Sequence, residues 1–270
     1  MEPRYDPAHI SRFFDEYGER EWERFDASPM HGVGLEVHRR LLAEFIRPGD
    51  RVLDAGAGPG RFTLELARIG ARVVVGDISP GQLDLHREKT AAVEHAIEDR
   101  VLLDVLDLSR FPDGAFDATV CFGGPVSYVL ERADDAVAEL LRVTRPGGYL
   151  LVTFMSLLGT ARAFFAFFPE LIESFGWERG VDRIFETGLL DAELNKGHVL
   201  RMYRWREVEA LLGRHPCRIV AASASNFLSI GDEETFASDD RWLEHELAAC
   251  REPGALDGGT HIVVAVERLA

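Results

Sequence analysis

The sequence predicts an α/β protein with a doubly wound, seven-stranded, mostly parallel sheet, a reversed C-terminal strand, N-terminal helices and a helical insertion. Three observations predict this fold class. Short apolar segments alternate with helical segments between residues 51 and 154, as they do in successive βαβ units. Turn residues separate these segments, as at 48–50 and 145–148. Two later apolar segments, 217–223 and 261–267, are suited to an antiparallel end of the sheet.

The elements follow one another along the chain with clear start and stop signals. Two amphipathic helices are expected at 8–27 and 34–46, separated by Ser28-Pro29 and His31-Gly32. A helix beginning at Ser79-Pro80 has an N-cap and a first-turn proline. The remaining core elements are predicted as strands 51–55, 71–76, 101–103, 116–121 and 149–154 and helices 61–69, 134–143, 205–213 and 239–250.

The pattern divides the chain into four parts. Residues 157–195 are rich in Phe and Trp and predict helix and loop without a strand. The parts are an N-terminal helical lid (1–47), an α/β core (48–155), a helical insertion (156–204) and the C-terminal part of the core sheet (205–270).

The composition argues against several classes of partner. Lys and Arg number 30 and Asp and Glu number 46, which gives a formal charge of −16, and this charge disfavours a nucleic-acid partner. No apolar run reaches the roughly 20 residues of a membrane span. Cys121, Cys217 and Cys250 have neither disulfide nor zinc spacing. We therefore expect a cytoplasmic protein, a monomer or homodimer, without a metal site or a membrane partner.

The strongest motif is a glycine-rich segment, Asp54-Ala-Gly56-Ala-Gly58-Pro-Gly60, between a predicted strand and a predicted helix. Glycines allow a sharp turn and a close approach of the backbone to a ligand. The N-terminus of the following helix offers unpaired N–H groups to a polar group. A plain tight turn is the alternative interpretation.

Asp77 ends the next predicted strand and lies 21 positions after Gly56. An acidic residue there binds ribose hydroxyls in dinucleotide-type folds, although it could instead cap the helix at Ser79. These features suit both a nicotinamide dinucleotide and S-adenosylmethionine. A dinucleotide fingerprint has a third glycine where Arg61 stands, whereas Arg61 could pair with the methionine carboxylate of S-adenosylmethionine.

Four segments in order resemble the motifs of class I methyltransferases: VLDAGAGPGRFTLELA, VVVGDIS, DVLDLSRFPDGAFDATVCFGG and ELLRVTRPGGYLLV. The resemblance extends over residues 36–155, and EREWERFD resembles the N-terminal helix that many bacterial members place over the cofactor. It implies S-adenosylmethionine as cofactor, with the methionine end on the glycine turn, the ribose on Asp77 and the adenine beside Ile78 and Val105. The cofactor-binding residues expected from it are Asp54, Gly56, Ala57, Gly58, Gly60, Arg61, Asp77, Ile78, Gln82, Asp104, Val105, Cys121, Phe122 and Gly123.

One departure from the family pattern leaves the adenine contact open. The stretch from Asp104 to Phe111 carries an extra residue at Ser109-Arg110, so Asp107 rivals Asp104 as the partner of the adenine amino group. A solvated loop role is the alternative for both aspartates.

The resemblance implies methyl transfer to an oxygen or nitrogen of a small-molecule acceptor. The alternatives are a nicotinamide-dependent oxidoreductase and a non-catalytic S-adenosylmethionine-binding module. Methylation of DNA bases is disfavoured, because residues 121–125 read Cys-Phe-Gly-Gly-Pro where such enzymes have Asn or Asp before Pro-Pro. Positions that could supply a general base are His31, His198, Tyr17 and Tyr128. An ordinary structural role is the alternative for each, so the catalytic base stays unassigned.

Aromatic residues in the insertion have two possible roles. Phe164, Phe165, Phe167, Phe168 and Trp177 could line an acceptor pocket, or they could form the core of the insertion itself. The second role is the expected one.

Overall fold

The fold is described by a computed structural model, which covers residues 3–26 and 28–270. Its strands are β1 Arg51–Ala55, β2 Arg72–Asp77, β3 Ile97–Leu102, β4 Phe116–Cys121, β5 Thr144–Met155, β6 Leu189–Leu190, β7 Leu200–Arg201, β8 Cys217–Ala224 and β9 His261–Arg268. Seven of them form one sheet in the order β3-β2-β1-β4-β5-β9-β8. Strand β9 runs antiparallel to β5 and β8, whereas the pairs from β3 to β5 are parallel. The predicted sheet and its reversed C-terminal strand are confirmed.

The strand order creates a crevice at one edge of the sheet. From β1 the chain moves outward to β2 and β3, and it then returns to the other side of β1 to form β4. The connections therefore diverge at the carboxyl ends of β1 and β4, which is where ligands bind in open α/β sheets. The glycine turn follows β1 and Phe122 follows β4, so the sequence places both at this crevice.

The helices cover both faces of the sheet. Their bounds are α1 Pro7–Tyr17, α2 Arg20–Glu23, α3 Pro29–Phe45, α4 Arg61–Ile69, α5 Pro80–Lys89, α6 Pro125–Tyr128, α7 Ala133–Val143, α8 Leu157–Ala163, α9 Phe168–Trp177, α10 Arg183–Thr187, α11 Trp205–Leu212, α12 Glu233–Ala237 and α13 Arg241–Cys250. Strands β1 and β2 are buried on both faces: Leu53 and Val74 pack into one apolar layer, and Val52, Val73 and Val75 pack into the other. This burial explains why their sequences are continuous apolar runs.

The N-terminal helices differ from their predicted bounds. The helix predicted over 8–27 ends at Tyr17, because Gly18 adopts φ +58°, and the chain resumes as α2 and a short 3₁₀ turn, Arg24–Asp26. The second helix begins at Pro29 and continues through Gly32, where a break was expected. Proline is well suited to a first turn, and the packing of Val33, Val37 and Leu41 into the core outweighs the low helix propensity of glycine.

Two core strands begin earlier than predicted. Strand β3 starts at Ile97. Its first residues were missed because the charged side chains at 98–100, on an edge strand, give no apolar strand pattern in the sequence. Strand β5 starts at Thr144 and includes the Pro146-Gly147-Gly148 turn, which the sheet accommodates as a register irregularity opposite Phe116 and Ala118.

The insertion was predicted without strands, and this prediction is wrong. Leu189 pairs with Arg201 and Leu190 with Leu200 in a two-stranded antiparallel ribbon. Each strand has only two residues, too few to show a period in the sequence.

The aromatic cluster of the insertion is also not its core, since Phe165 is 73% exposed and Trp177 63% exposed. No helix in the described part of the chain is long and apolar enough to span a membrane.

Candidate functional site

A cleft lies at the carboxyl ends of β1, β2 and β4, beneath the N-terminal helices. Most of the residues predicted to bind the cofactor line it: Gly56, Ala57, Gly58, Arg61, Asp77, Ile78, Gln82, Asp104, Val105, Phe122 and Gly123. The predicted residues Asp54, Gly60 and Cys121 lie outside this lining. Within residues 3–26 and 28–270, no three His, Cys, Asp or Glu side chains cluster as metal ligands would.

The glycine turn is shaped by contacts with the neighbouring strand and helices. Gly56, Gly58 and Gly60 all have positive φ, at +75°, +52° and +98°. The N–H groups of Gly56 and Ala57 donate to the carbonyl oxygen of Gly76, at 2.7 and 3.1 Å. A Cβ on Gly56 would lie 2.4 Å from a side-chain carbon of Pro125, so this position requires glycine for space as well as conformation.

Asp77 connects the glycine turn to the helix that follows β2. Its Oδ2 accepts from the Gly58 N–H at 2.8 Å, and its Oδ1 accepts from the Ser79 N–H at 2.9 Å. Burial raises the pKa of Asp77 to about 6, although these two hydrogen bonds oppose the shift. Each carboxylate oxygen has a second lone pair, so Asp77 can hold the turn and still accept hydrogen bonds from a ligand.

Gln82 presents a buried acceptor without a partner among the described residues. Its Nε2 donates to the carbonyl oxygens of Phe14 and Gly18, at 2.9 and 3.2 Å, which fixes the orientation of the amide. The Oε1 atom is then left unpaired, and it lies 3.9 Å from the position of a Cβ on Gly58. An unpaired buried oxygen is unfavourable unless a donor reaches it, so this corner of the cleft is suited to a ligand with hydroxyl or ammonium groups.

The two rival aspartates occupy different environments. Asp104 lines the cleft, where its Oδ1 accepts from the Leu106 N–H at 2.9 Å and its Oδ2 accepts from the Tyr5 hydroxyl at 2.8 Å. Asp107 is exposed and caps the N–H of Ser109 at 3.1 Å. The geometry therefore favours Asp104 as the residue that faces a ligand.

A buried polar network lies below the turn and includes Asp54. The Thr63 hydroxyl donates to Asp54 Oδ2 at 2.6 Å, and Thr63 Oγ1 lies 2.9 Å from His86 Nε2. Because Arg100 Nε can only donate, at 3.1 Å, His86 Nδ1 must accept, so its Nε2 carries the hydrogen. Burial raises the pKa of Asp54 to about 7. Asp54 thus supports the turn from below.

The two other predicted residues that lie outside the lining have packing roles. A Cβ on Gly60 would lie 2.5 Å from a methyl carbon of Thr90, so Gly60 allows α5 to approach the start of α4. Cys121 is fully buried in the apolar core, and burial raises the pKa of its thiol. Neither residue lines the cleft.

Arg61 is bound by the N-terminal segment in this structure. Its guanidinium packs 3.9 Å from the centroid of the Trp22 ring, donates to the Trp22 carbonyl oxygen at 2.9 Å and pairs with Asp26. The sequence suggested a ligand carboxylate as its partner. The observed contacts instead tie α2 and the following turn to the start of α4.

The N-terminal segment also adds two charged residues that sequence reasoning missed. Glu21 and Arg24 line the cleft, and Glu21 Cγ lies 3.7 Å from the position of a Cβ on Gly58. The signal available was the resemblance of EREWERFD to a cofactor-covering helix, which did not indicate which face of the helix points inward.

The structure does not bring the four positions considered for a general base together at the cleft. Tyr128 lines the cleft, but its hydroxyl donates to the Gly123 carbonyl oxygen at 3.1 Å, and burial raises its pKa. Tyr17 stacks on Phe13. His31 Nδ1 lies 2.9 Å from the Ser28 hydroxyl, and burial lowers its pKa. Neither Tyr17 nor His31 is among the residues that line the cleft.

His198 is the fourth candidate, and it is packed as an aromatic side chain. Its ring stacks on Phe13 with 4.3 Å between centroids, and its Nε2 is buried without a partner among the described residues. Burial lowers the pKa of His198 to about 4. The unfolded chain takes up a proton below about pH 6.5, so the folded state loses stability as the pH falls from 6.5 towards 4.

Replacing His198 with phenylalanine should remove this pH-dependent loss. We expect His198→Phe to match the parent protein near pH 7.5 and to exceed it by roughly 1–2 kcal/mol near pH 5. Thermal unfolding at the two pH values measures the difference, with the exposed His95→Gln as control. A stability difference that does not change with pH would show that His198 is not held neutral by burial.

The comparisons with known proteins agree with this geometry. Residues 53–152 match the sequence profile of a methyltransferase domain, and this range contains the glycine turn, Asp77 and Asp104. These residues form a methyltransferase domain of the class I S-adenosylmethionine-dependent type. A domain of this type takes S-adenosylmethionine as its cofactor.

The curated relatives of this methyltransferase match only part of their own length. It is 37% identical over 122 residues to malonyl-[acyl-carrier protein] O-methyltransferase of Serratia marcescens, covering 45% of each chain. It is 34% identical over 158 residues to demethylmenaquinone methyltransferase of Beutenbergia cavernae, covering 56% of this chain and 60% of that one. The chain thus spans about half the length of the curated relatives it matches.

A solved structure extends the likeness of the fold over the whole chain. The 1,6-didemethyltoxoflavin-N1-methyltransferase of Burkholderia thailandensis, solved with its namesake ligand and S-adenosylhomocysteine, aligns with a TM-score of 0.60. The alignment covers 100% of this chain and 93% of that one at 17% identity. At that identity the likeness concerns the fold alone.

Proposed function

We propose that this protein transfers a methyl group from S-adenosylmethionine to an oxygen or nitrogen atom of a small-molecule acceptor. The observation that carries the proposal is that the Asp77 carboxylate and the unpartnered Oε1 of Gln82 line the same cleft beside the glycine turn. Together they offer acceptors for the ribose hydroxyls and for the ammonium group of the methionine end.

The other end of the cleft suits the adenine ring. Leu103 and Val105 are buried apolar side chains in the lining, Ile78 also lines the cleft, and Asp104 provides a carboxylate at the edge. Adenine would pack between the apolar side chains and donate from its amino group to Asp104. Each Asp104 oxygen has a second lone pair beside the one used by Leu106 or Tyr5, so the carboxylate can accept this further hydrogen bond.

The protein contributes to methyl transfer by positioning the reactants and by excluding water. Bound S-adenosylmethionine supplies an electrophilic methyl group, and its transfer requires the acceptor atom to be held in line with the breaking bond. Gly123 and Phe122 follow β4 at the edge of the cleft, and in the proposed arrangement the cofactor sulfur would lie at this edge. The N-terminal helices shield the cleft from solvent.

Ligand-dependent thermal stability tests the proposal. At a hundredfold excess over its Kd, S-adenosylhomocysteine should stabilise the fold by about 2.7 kcal/mol, which raises the melting temperature by roughly 5–10 °C for a protein of this size. NAD should leave it unchanged, since a dinucleotide site requires a third glycine at position 61. Stabilisation by NAD alone would overturn the proposal in favour of an oxidoreductase.

Turnover is tested separately from binding. Incubation with S-adenosylmethionine carrying a labelled methyl group and a protein-free cell extract should transfer the label to a small molecule. Binding of S-adenosylhomocysteine without transfer to any extract fraction would indicate a cofactor-binding module instead of an enzyme.

A further inference from the structure

Arg24 places a positive charge at the edge of the cleft where β4 ends. Its Nη2 lies 3.5 Å from the position that a Cβ on Gly123 would occupy. The guanidinium packs 4.5 Å from the centroid of the Phe25 ring, and the side chain is only 23% exposed. This is the end of the cleft at which the proposed function places the cofactor sulfur and the acceptor.

No residue in the described part of the chain accepts a directed hydrogen bond from Arg24. Its Nε lies 2.7 Å from Glu21 Oε1, but the N–H does not point at that oxygen, so the contact is ionic and not a directed hydrogen bond. Among the described residues, Glu21 is the one acidic side chain in contact with Arg24. A guanidinium has five donors in a planar fork that matches an oxyanion, and here that fork is available.

A second cation next to Arg24 would be unfavourable without an anion between them. The sulfonium of S-adenosylmethionine carries a positive charge, and two like charges in a partly desolvated cleft repel each other. Glu21 compensates Arg24 on the Nε side, but the Nη2 side faces Gly123. An anionic oxygen at that point would interact favourably with both cations.

Neither Tyr128 nor His198 is placed to remove a proton from the acceptor, and the Glu21 carboxylate in the lining is paired with Arg24. Tyr128 donates its hydroxyl hydrogen to the Gly123 carbonyl oxygen, and His198 is stacked on Phe13. An acceptor that is already ionised requires no general base.

We propose that Arg24 binds an acceptor that enters the cleft with an ionised oxygen, a carboxylate above all, and that this oxygen takes the methyl group. The inference rests on the proposed function and narrows its acceptor to an oxyanion. A lone pair of the anionic oxygen forms the new C–O bond while the C–S bond breaks and its electrons stay on sulfur. The products are a neutral methyl ester and the neutral thioether S-adenosylhomocysteine, so no proton is released.

The test compares a cationic with a neutral cofactor ligand. Calorimetric titration gives the Kd of S-adenosylmethionine and of S-adenosylhomocysteine for the parent protein and for Arg24→Met. The Kd of S-adenosylmethionine divided by the Kd of S-adenosylhomocysteine should fall by at least about fivefold in Arg24→Met, because the guanidinium no longer repels the sulfonium. The control is Arg20→Met, because Arg20 lies on the same segment but donates to the carbonyl oxygens of Tyr17 and Glu16 outside the cleft.

Acetate provides a second measurement that needs no variant. At constant ionic strength, acetate should tighten the binding of S-adenosylmethionine to the parent protein by about threefold or more, and neutral acetamide should not. Arg24→Met should lose the acetate effect, whereas Arg20→Met should keep it.

The outcomes separate this inference from the proposed function. If S-adenosylhomocysteine binds, but acetate has no effect on the parent protein or the Kd ratio is the same in Arg24→Met, the oxyanion site is overturned and the cofactor site stands. If neither sulfur ligand binds the parent protein, both proposals are overturned.

Discussion

Asp77→Ala should weaken the binding of S-adenosylhomocysteine by roughly 30- to 150-fold, which corresponds to about 2–3 kcal/mol. The variant loses the carboxylate that would accept from the ribose hydroxyls. It also leaves the N–H groups of Gly58 and Ser79 without their present acceptor, which loosens the glycine turn. Calorimetric titration measures the Kd, and the melting temperature without ligand reports whether the variant is folded.

The matched control for Asp77→Ala is Asp107→Ala. Asp107 is exposed, lies outside the cleft and caps only the local turn at Ser109, so its removal should leave the Kd within twofold of the parent value. Equal losses in the two variants would contradict the assigned role of Asp77.

The same carboxylate predicts how cofactor affinity depends on pH. Burial raises the pKa of Asp77 to about 6, and only the ionised form accepts charge-assisted hydrogen bonds from the ribose. The affinity for S-adenosylhomocysteine should therefore be full above pH 7 and fall as the pH drops through about 6.

Gly159→Ala should cause the largest loss of stability. Gly159 lies in α8, and a Cβ there would stand 1.7 Å from the carbonyl oxygen of Gly259 and 2.9 Å from the carbonyl carbon of Gly258. These are backbone atoms just before β9, so a side-chain rotation cannot relieve the clash. We expect a loss of about 3 kcal/mol or more, which lowers the melting temperature by roughly 6–12 °C.

A second glycine-to-alanine change isolates the steric effect in α8. Gly254 has open space around its Cβ position and no positive φ, so Gly254→Ala should be neutral within about 0.5 kcal/mol. If thermal unfolding of the two variants is indistinguishable, the close approach of α8 to residues 258–259 is not present in the protein.

The sequence was sufficient for the features that depend on local pattern. Apolar runs on both faces of β1 and β2 and the glycine turn between β1 and α4 are written in consecutive residues, so the parallel core could be predicted. The reversed strand β9 could also be predicted, as the second of the two late apolar segments. In the site, Asp77 could be expected in the cleft because strand ends in parallel sheets share one edge.

Features that depend on tertiary packing could not be predicted. Arg61 has a sequence context that suits a ligand carboxylate, but the choice of Trp22 and Asp26 as partners depends on how the N-terminal helices fold back. Glu21 and Arg24 likewise line the cleft because the N-terminal helices fold back over it. Asp54 precedes the glycines in sequence and still lies outside the cleft lining, because the buried Thr63 hydroxyl donates to it and is itself held by His86.

A crystal structure with bound S-adenosylhomocysteine would show where the nucleoside binds. We expect the ribose hydroxyls to lie about 3 Å from the Asp77 carboxylate, the adenine to pack against Ile78 and Val105, and the sulfur to face Gly123. A nucleoside bound anywhere else, with Asp77 contacting only Gly58 and Ser79, would contradict this arrangement.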